Sequence, residues 1–302
     1  MRIVALLLAL TQVSGQSLVF PGSVDLVQVV VSVSAKDGGV VRDLEAKDFV
    51  IRDNGKPVAI ETFLRMQDAA GSDRLPVEVA LLLDTSSSMT AELTRARDAI
   101  VDFTRAVPSF ARGRIVAFDR DAYDRNFDAQ SIKPVLDQMI QMEGGAGTRT
   151  FDAVIDGASL ISKQPGRRVM VLFTDGEDAT SRRSLKDAVK ALQEAEVTCY
   201  VVSYSSRLAG FTFGGEPDKG RIRDAQRSLE ALALESGGFV VDGTSPDVVA
   251  QLKRIVDDIA SSYVIGFTGA LTKKAEHRRL RVEVARRDLT VRHREGYDTK
   301  AR

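Results

Sequence analysis

The chain has 302 residues, of which 44% are hydrophobic, with 42 basic and 42 acidic side chains and a formal net charge of zero. That length is ample for a large buried core and accommodates about two domains. The balanced charge argues against a nucleic acid or an anionic membrane as the main partner, because both are held by net basic surfaces.

Residues 1–15 read as a targeting segment: Arg2 supplies the positive end, residues 3–10 the apolar stretch, and Val13-Ser14-Gly15 a small-residue cleavage site before Gln16. The segment is too short to span a bilayer, and no later run reaches about 18 apolar residues. The expected mature protein is therefore extracytoplasmic, secreted or periplasmic, without a membrane span. Residues 16–66 alternate as strands do, with turn signals at Asp37-Gly38-Gly39 and Asp53-Asn54-Gly55 that predict two hairpins. Residues 67–76 are small, polar and proline-ended, and read as a linker.

The unbroken run Val79-Ala80-Leu81-Leu82-Leu83 predicts a strand covered on both faces, which ends in Asp84-Thr85-Ser86-Ser87-Ser88. A helix follows, with Leu93, Ala96, Ile100, Phe103 and Val107 at spacings of three and four until Pro108 stops it. Residues 114–118 predict a strand and 131–142 a helix. The glycine-rich Gly144-Gly145-Ala146-Gly147 delivers Thr148 in front of a helix carrying Phe151, Val154, Ile155, Ala158 and Ile161. A second apolar strand, 169–173, runs into Thr174-Asp175-Gly176.

Ser184 with Asp187 three residues on resembles a capping box for a helix bearing Leu185, Val189 and Leu192. Strands at 198–204 and 239–242, with helices at 224–235 and 246–261, complete an alternation that predicts a doubly wound, mostly parallel α/β sheet. Cys199, the single cysteine, reads as a small core hydrophobe. The long loop 208–220 carries Phe211 and Phe213, which either tuck back onto the protein or face a partner. Strands at 263–267, 280–284 and 289–293 close the chain. Neither terminal set of strands is large enough alone, so segments 16–66 and 263–302 are expected to pair into one smaller β domain, with residues 77–262 inserted within it. The C-terminal Arg278, Arg279, Arg281, Arg286, Arg287, Arg292 and Arg294 alternate with apolar residues and read as a solvated sheet face.

In open α/β sheets ligands bind beyond the carboxyl ends of the strands. Asp84, Ser86 and Ser88 fall there, and so does Asp175. With Thr148, they offer two carboxylates and three hydroxyls, a set of hard oxygen donors that suits Mg²⁺, with Mn²⁺ or Ca²⁺ as alternatives, better than Zn²⁺ or Cu²⁺. Thr150 lies two residues beyond Thr148, and either hydroxyl can face the ion. Glu177 and Asp178, just past the site, read as exposed loop acids.

This arrangement, Asp-x-Ser-x-Ser, a loop threonine, then Thr-Asp-Gly in that order after the expected strands, resembles the metal-ion-dependent adhesion site of von Willebrand factor A domains. Asp84, Ser86, Ser88, Thr148 and Asp175 match its positions, over a stretch from about Pro76 to Ser262. The flanking Leu44-Glu45-Ala46-Lys47-Asp48-Phe49 and Arg294-Glu295-Gly296-Tyr297 are similar to secreted bacterial von Willebrand factor A-related proteins, a group abundant in acidobacteria. The resemblance implies a protein-binding, adhesion-type module without enzymatic activity, in which a partner's glutamate or aspartate completes the shell of the cation. In the family one aspartate often coordinates through water, which leaves the ion electrophilic.

Two other readings stay open. A structural protein could use the cation only to tie three loops together. A metal-dependent hydrolase is more distant, because an aspartyl-nucleophile phosphatase would want a carboxylate where Ser86 stands, and neither a Gly-x-Ser-x-Gly elbow nor a phosphate-loop lysine motif occurs. The two histidines, His277 and His293, lie in the C-terminal strands and read as surface residues.

Overall fold

Alternation of apolar and polar side chains builds the terminal strands, and continuous apolar runs build the central ones. The computed structural model describes residues 26–68, 75–107, 112–128, 130–141, 147–206, 212–213, 216–217 and 219–299. The expected targeting segment, the Gly144 to Ala146 stretch and Phe211 lie outside these residues, as does the side chain of Phe213.

Four strands come first: β1 (Leu26–Ala35), β2 (Phe49–Asp53), β3 (Lys56–Val58) and β4 (Thr62–Arg65). The central part then runs β5 (Val77–Asp84), α1 (Leu93–Ala106), β6 (Arg112–Phe118), β7 (Ala122–Phe127), α2 (Ile132–Ile140), α3 (Thr150–Ser162) and β8 (Arg167–Thr174). It continues with α4 (Leu185–Glu194), β9 (Val197–Ser203), the short pair β10 (Thr212–Phe213) and β11 (Glu216–Pro217), α5 (Lys219–Glu235), β12 (Val240–Asp242) and α6 (Val248–Ser261). Four strands finish the described chain: β13 (Tyr263–Thr268), β14 (His277–Val284), β15 (Leu289–Arg292) and β16 (Gly296–Asp298).

The central sheet has the order β12-β9-β8-β5-β6-β7, parallel throughout except that β7 runs antiparallel to β6. Strict alternation along β5 sends Leu81 and Leu83 to one face, where they pack with Ile100 of α1, Leu136 of α2 and Ile255 of α6. Leu82 goes to the other, against Val154 of α3, Leu192 of α4 and Leu229 of α5. Each such leucine taken fully out of water contributes about 1.5–3 kcal/mol. Connections from β5 leave toward β6 on one side, and the chain later returns to β8 on the other. The strand order therefore reverses beside β5, and a crevice opens over its carboxyl end.

Segments from the two ends of the chain do pair. β1 lies between β13 and β15, and β2 lies between β14 and β3, giving sheets of order β15-β1-β13-β4 and β16-β14-β2-β3. Their inner faces share one core that includes Val29, Val31, Ile51, Tyr263, Phe267, Leu280 and Tyr297. Both expected hairpins form. At the second, Asn54 (φ 48°) and Gly55 (φ 82°) are both left-handed, the backbone that a two-residue turn with the strands' own twist requires. Ser184 and Asp187 cap α4 reciprocally, as the sequence indicates.

Several elements were not legible in the sequence. β7 has charges at Asp124 and Arg125 and is largely exposed, because it is an edge strand that packs against the core at Phe127 and has no alternation of buried residues. β16 is only three residues long. The C-terminal arginines also depart from expectation. Arg294 is 7% exposed and donates to the carbonyls of Gln193 and Gln28, Arg278 Nε is shared by both oxygens of Asp53 at 2.7 and 2.9 Å, and Arg292 donates to Asp258 at 2.5 Å. These three are interior ion pairs or ties, so the solvated-face reading holds only for the rest of the group. His293 is half-buried, with Nε2 accepting from Val282 N–H and Nδ1 donating to the Arg294 carbonyl, whereas His277 is exposed.

One turn under the sheet depends on a glycine. Gly166 has φ +96°, and a Cβ there would meet the Pro76 carbonyl oxygen at 2.2 Å, while the next residue, Arg167, donates its N–H to that same oxygen. Gly166→Ala is expected to cost about 2 kcal/mol or more. Urea unfolding checks this, and an unchanged midpoint would mean that the turn has another conformation of equal energy.

Candidate functional site

Strands β5 and β8 are hydrogen-bonded neighbours in register, so their last residues deliver Asp84 and Thr174-Asp175 to the same crevice. The two acids are withdrawn from solvent: Asp84 is 0% and Asp175 1% exposed. Ser86 N–H and Oγ both donate to Asp84 Oδ1, at 3.0 and 2.6 Å, and Thr174 Oγ1 donates to Oδ2 at 2.6 Å. Ser86 Oγ and Ser88 Oγ are 3.2 Å apart. Thus Asp84, Ser86 and Ser88 form one cluster, and Asp175 stands at the end of the neighbouring strand, where the Ser88 hydroxyl acts to lower its pKa.

Thr148 is 3% exposed, and its carbonyl accepts N–H groups from Ala179 and Thr180, both at 2.9 Å, tying its loop to the one that follows Asp175. Arg149 N–H in turn bonds to the Asp119 carbonyl at 3.0 Å. Thr150 is otherwise engaged: its Oγ1 donates to the Glu177 carbonyl at 2.6 Å. Of the two threonines, Thr150 therefore serves as a clasp between loops. Thr174 is a member of the cluster that sequence reasoning did not assign a role, although a polar residue closing an otherwise apolar strand was a readable signal.

Electrostatics in the crevice are unfavourable to two bare carboxylates. Burial, followed by the charge of Asp175, pushes Asp84 up to about 7 from its ordinary 3.8. Burial also raises Asp175, against the opposing effects of the Ser88 hydrogen bond and the Arg221 charge. Asp175 Oδ1 accepts from Glu177 N–H at 3.0 Å, but its buried Oδ2 has no hydrogen-bond partner. A buried acceptor left unsatisfied costs on the order of 1–3 kcal/mol, so such groups ask for an explanation. A small dication fits: it would offset both charges and supply the missing partner. Among the described residues no cluster of three His, Cys, Asp or Glu side chains is arranged to hold a metal, so any cation here relies on two carboxylates and neutral hydroxyls.

Glu177 and Asp178 are not exposed loop acids. Both are half-buried; Glu177 pairs with Arg221 of α5, and Asp178 accepts from Ser181 Oγ at 2.6 Å and from Phe151 N–H at 3.4 Å. They organise the loop rather than face an ion. Cys199 is fully buried and its thiol is pushed up to about 12 by that burial, as a core residue should be.

Comparison with known proteins bears on this arrangement. The family model of the von Willebrand factor type A domain matches residues 78–258. No curated protein matches the chain. Similar solved structures include an aerotolerance-related membrane protein from Bacteroides fragilis, at 20% identity and TM-score 0.46, covering 61% of this chain and 98% of that one. They also include the pilus adhesin SpaC from Lactobacillus rhamnosus GG, at 13% identity and TM-score 0.49, where the likeness covers 73% of this chain but only 35% of the adhesin. A third is the vWF domain of the type V pili tip protein Mfa5 from Porphyromonas gingivalis, at 12% identity and TM-score 0.46, covering 61% and 95% of the two chains.

Proposed function

Because this chain belongs to the von Willebrand factor type A domain family, we propose that it is a non-enzymatic, extracytoplasmic binding module that captures an acidic group of a protein partner through a divalent cation, Mg²⁺ in first place. The observation that carries this reading is the buried Asp84–Asp175 pair at the ends of two adjacent parallel strands, with an unpartnered carboxylate oxygen and hydroxyls around it. Asp84, Ser86, Ser88, Thr148 and Asp175 are the residues proposed to hold the ion. When bound, the ion supplies an electrophilic centre at which an incoming carboxylate completes the oxygen shell.

The residues divide that work. Asp84 and Asp175 offset enough of the dication's charge to let it sit between buried loops. Ser86 and Ser88 add neutral oxygens, which keep the site from becoming over-neutralised and leave it attractive to one more carboxylate. Thr174 and the loop tie between Thr148 and residues 179–180 hold the donors in place before any ligand arrives. Export is proposed on the pattern of residues 1–15, and among the described residues no helix is long and apolar enough to cross a membrane.

Isothermal titration of Mg²⁺ and Mn²⁺ into EDTA-stripped protein tests the reading. One ion per chain is expected to bind, and Asp84→Ala is expected to abolish the heat while leaving the fold intact by circular dichroism. Silence of the wild type with both ions would sink it. A large loss of melting temperature on chelation without any cation-dependent capture of an acidic peptide would instead favour a purely loop-tying role.

A further inference from the structure

The loops that carry Thr148 also wall a separate cleft of about 740 Å³, lined by Arg120, Arg149, Arg182 and Arg183 with Asp121, Asp152 and Asp156. It borders the loop that carries Thr148. Arg149 is the next residue after Thr148, and Thr180, whose N–H bonds to the Thr148 carbonyl, lines the cleft as well.

The charges in it fall into two groups. Asp152, 4% exposed, accepts from Arg183 Nε at 2.7 Å and from the backbone N–H groups of Arg182 and Arg183, and Asp156 pairs with Arg183 at 2.8 Å and with Arg149 at 3.1 Å. These two acids are thereby used in fixing the wall of the cleft and in pinning the loop after Asp175 onto α3. Arg120 and Arg182 are different. Both are exposed, and among the described residues neither guanidinium makes a hydrogen bond or an ion pair. Among the described residues that line the cleft, Asp121 is the acid with no tie to Arg149 or Arg183. In addition, Arg149 Nε is buried without a partner. A rigid wall carrying two uncommitted guanidinium groups, with a third donor unsatisfied behind them, is built to receive anionic oxygens, for which the planar fork of arginine is suited.

We infer that this cleft is the second contact of the partner: the protein captured at the cation carries further acidic side chains within a few residues of the one that meets the ion, and Arg120 and Arg182 receive them. The inference rests on the proposed cation-dependent capture and assigns its specificity, selecting an acidic segment over a lone carboxylate. Exposed charge pairs are each worth a few-fold in affinity, so two of them give about fivefold at moderate ionic strength, and less as salt screens them.

Two end-blocked synthetic peptides test this, Gly-Gly-Asp-Gly-Gly-Gly and Gly-Gly-Asp-Gly-Glu-Glu, titrated by NMR into the full chain in Mg²⁺ and in EDTA. The second is expected to bind about fivefold tighter than the first in Mg²⁺. That advantage is expected to vanish in an Arg120→Ala, Arg182→Ala double variant and to shrink in about 0.5 M NaCl. Among the described residues neither side chain makes an internal bond, so the double variant is expected to melt with the wild type, and Arg120→Lys, Arg182→Lys is expected to recover part of the advantage. If the first peptide binds only in Mg²⁺ and the second binds no tighter, the cleft inference is overturned and the cation reading stands. If the second peptide binds equally in EDTA and loses that binding in the double variant, the cleft stands and the cation reading falls. Absence of binding by both peptides in both media overturns both.

Discussion

Asp258→Ala is expected to lower the melting temperature by about 10 °C, from the loss of roughly 3–5 kcal/mol when one partner of a buried ion pair is removed. Asp258 lies in the last turn of α6 and is 3% exposed. Its Oδ2 accepts from Tyr200 Oη at 2.6 Å and from Ser32 Oγ at 2.8 Å, and its Oδ1 from Arg292 at 2.5 Å. Tyr200 also accepts from Arg167, which donates to the Ile259 carbonyl at the end of α6. The phenol of Tyr200 is held firmly protonated, first by burial and then by the Asp258 charge. Arg292 lies 4.6 Å over the ring of Phe239. One carboxylate thus joins β1 and β15 of the terminal sheets to α6 and β9 of the central layer. Removing it strands a guanidinium and a phenol in a low-dielectric interior. Differential scanning calorimetry reads the outcome, with Asp258→Asn expected to fall between wild type and alanine. A shift below about 2 °C for the alanine variant would mean that water replaces the carboxylate at little cost.

Asp175→Asn is expected to do the opposite to the cation-free protein. In EDTA at pH 8 the variant should melt about 3–6 °C above the wild type, and it should lose the stabilisation that Mg²⁺ confers on the wild type. The sign follows from linkage. A carboxyl raised in the folded state binds its proton more tightly there than in the unfolded chain, so stability falls as pH rises from 3.8 through about 7, the interval for Asp84, and the cost is complete above it. Replacing Asp175 removes its own burial cost and the second-largest cause of the Asp84 shift, together about 1–2 kcal/mol. The gap should narrow toward pH 5, where the wild-type carboxyls take up protons. Thermal melts across that range with and without Mg²⁺ measure it. A variant that melts below the wild type in EDTA would show that the Asp175 carboxylate is needed as a structural acceptor, and the case for a site kept ready for a cation would weaken accordingly.

These two residues differ in how they could be found. Asp175 was visible in the chain because a continuous apolar strand ending in a carboxylate can hardly avoid presenting it at a sheet edge. Asp258 was not. It sits among Asp257 and Ile259 in an amphipathic helix, and nothing local distinguishes it from Asp257, which is an exposed partner of Lys253. Only the arrival of Tyr200, Ser32 and Arg292 from three remote strands makes it interior. The C-terminal arginines make the same point. Alternation correctly located their strands, but whether a guanidinium faced solvent or an acid depended on Asp53, Glu196 and Asp258 being brought opposite them.

Local pattern by itself determined the alternation of strands and helices behind the doubly wound sheet, the hairpin at Asn54-Gly55, the cap at Ser184 and the position of Asp84, Ser86, Ser88 and Asp175 at strand ends, because periodicity, turn geometry and capping act over a few residues. Tertiary structure alone decided that Thr150 bonds to the Glu177 carbonyl, that Glu177 and Asp178 turn inward, that Arg120 and Arg182 have no partner among the described residues beside a fixed wall, and that Asp258 binds the layers together. Each of those outcomes depends on which charge meets which across tens or hundreds of residues, and in a buried setting the energy of a charge is set by its partners and its desolvation rather than by its neighbours along the chain.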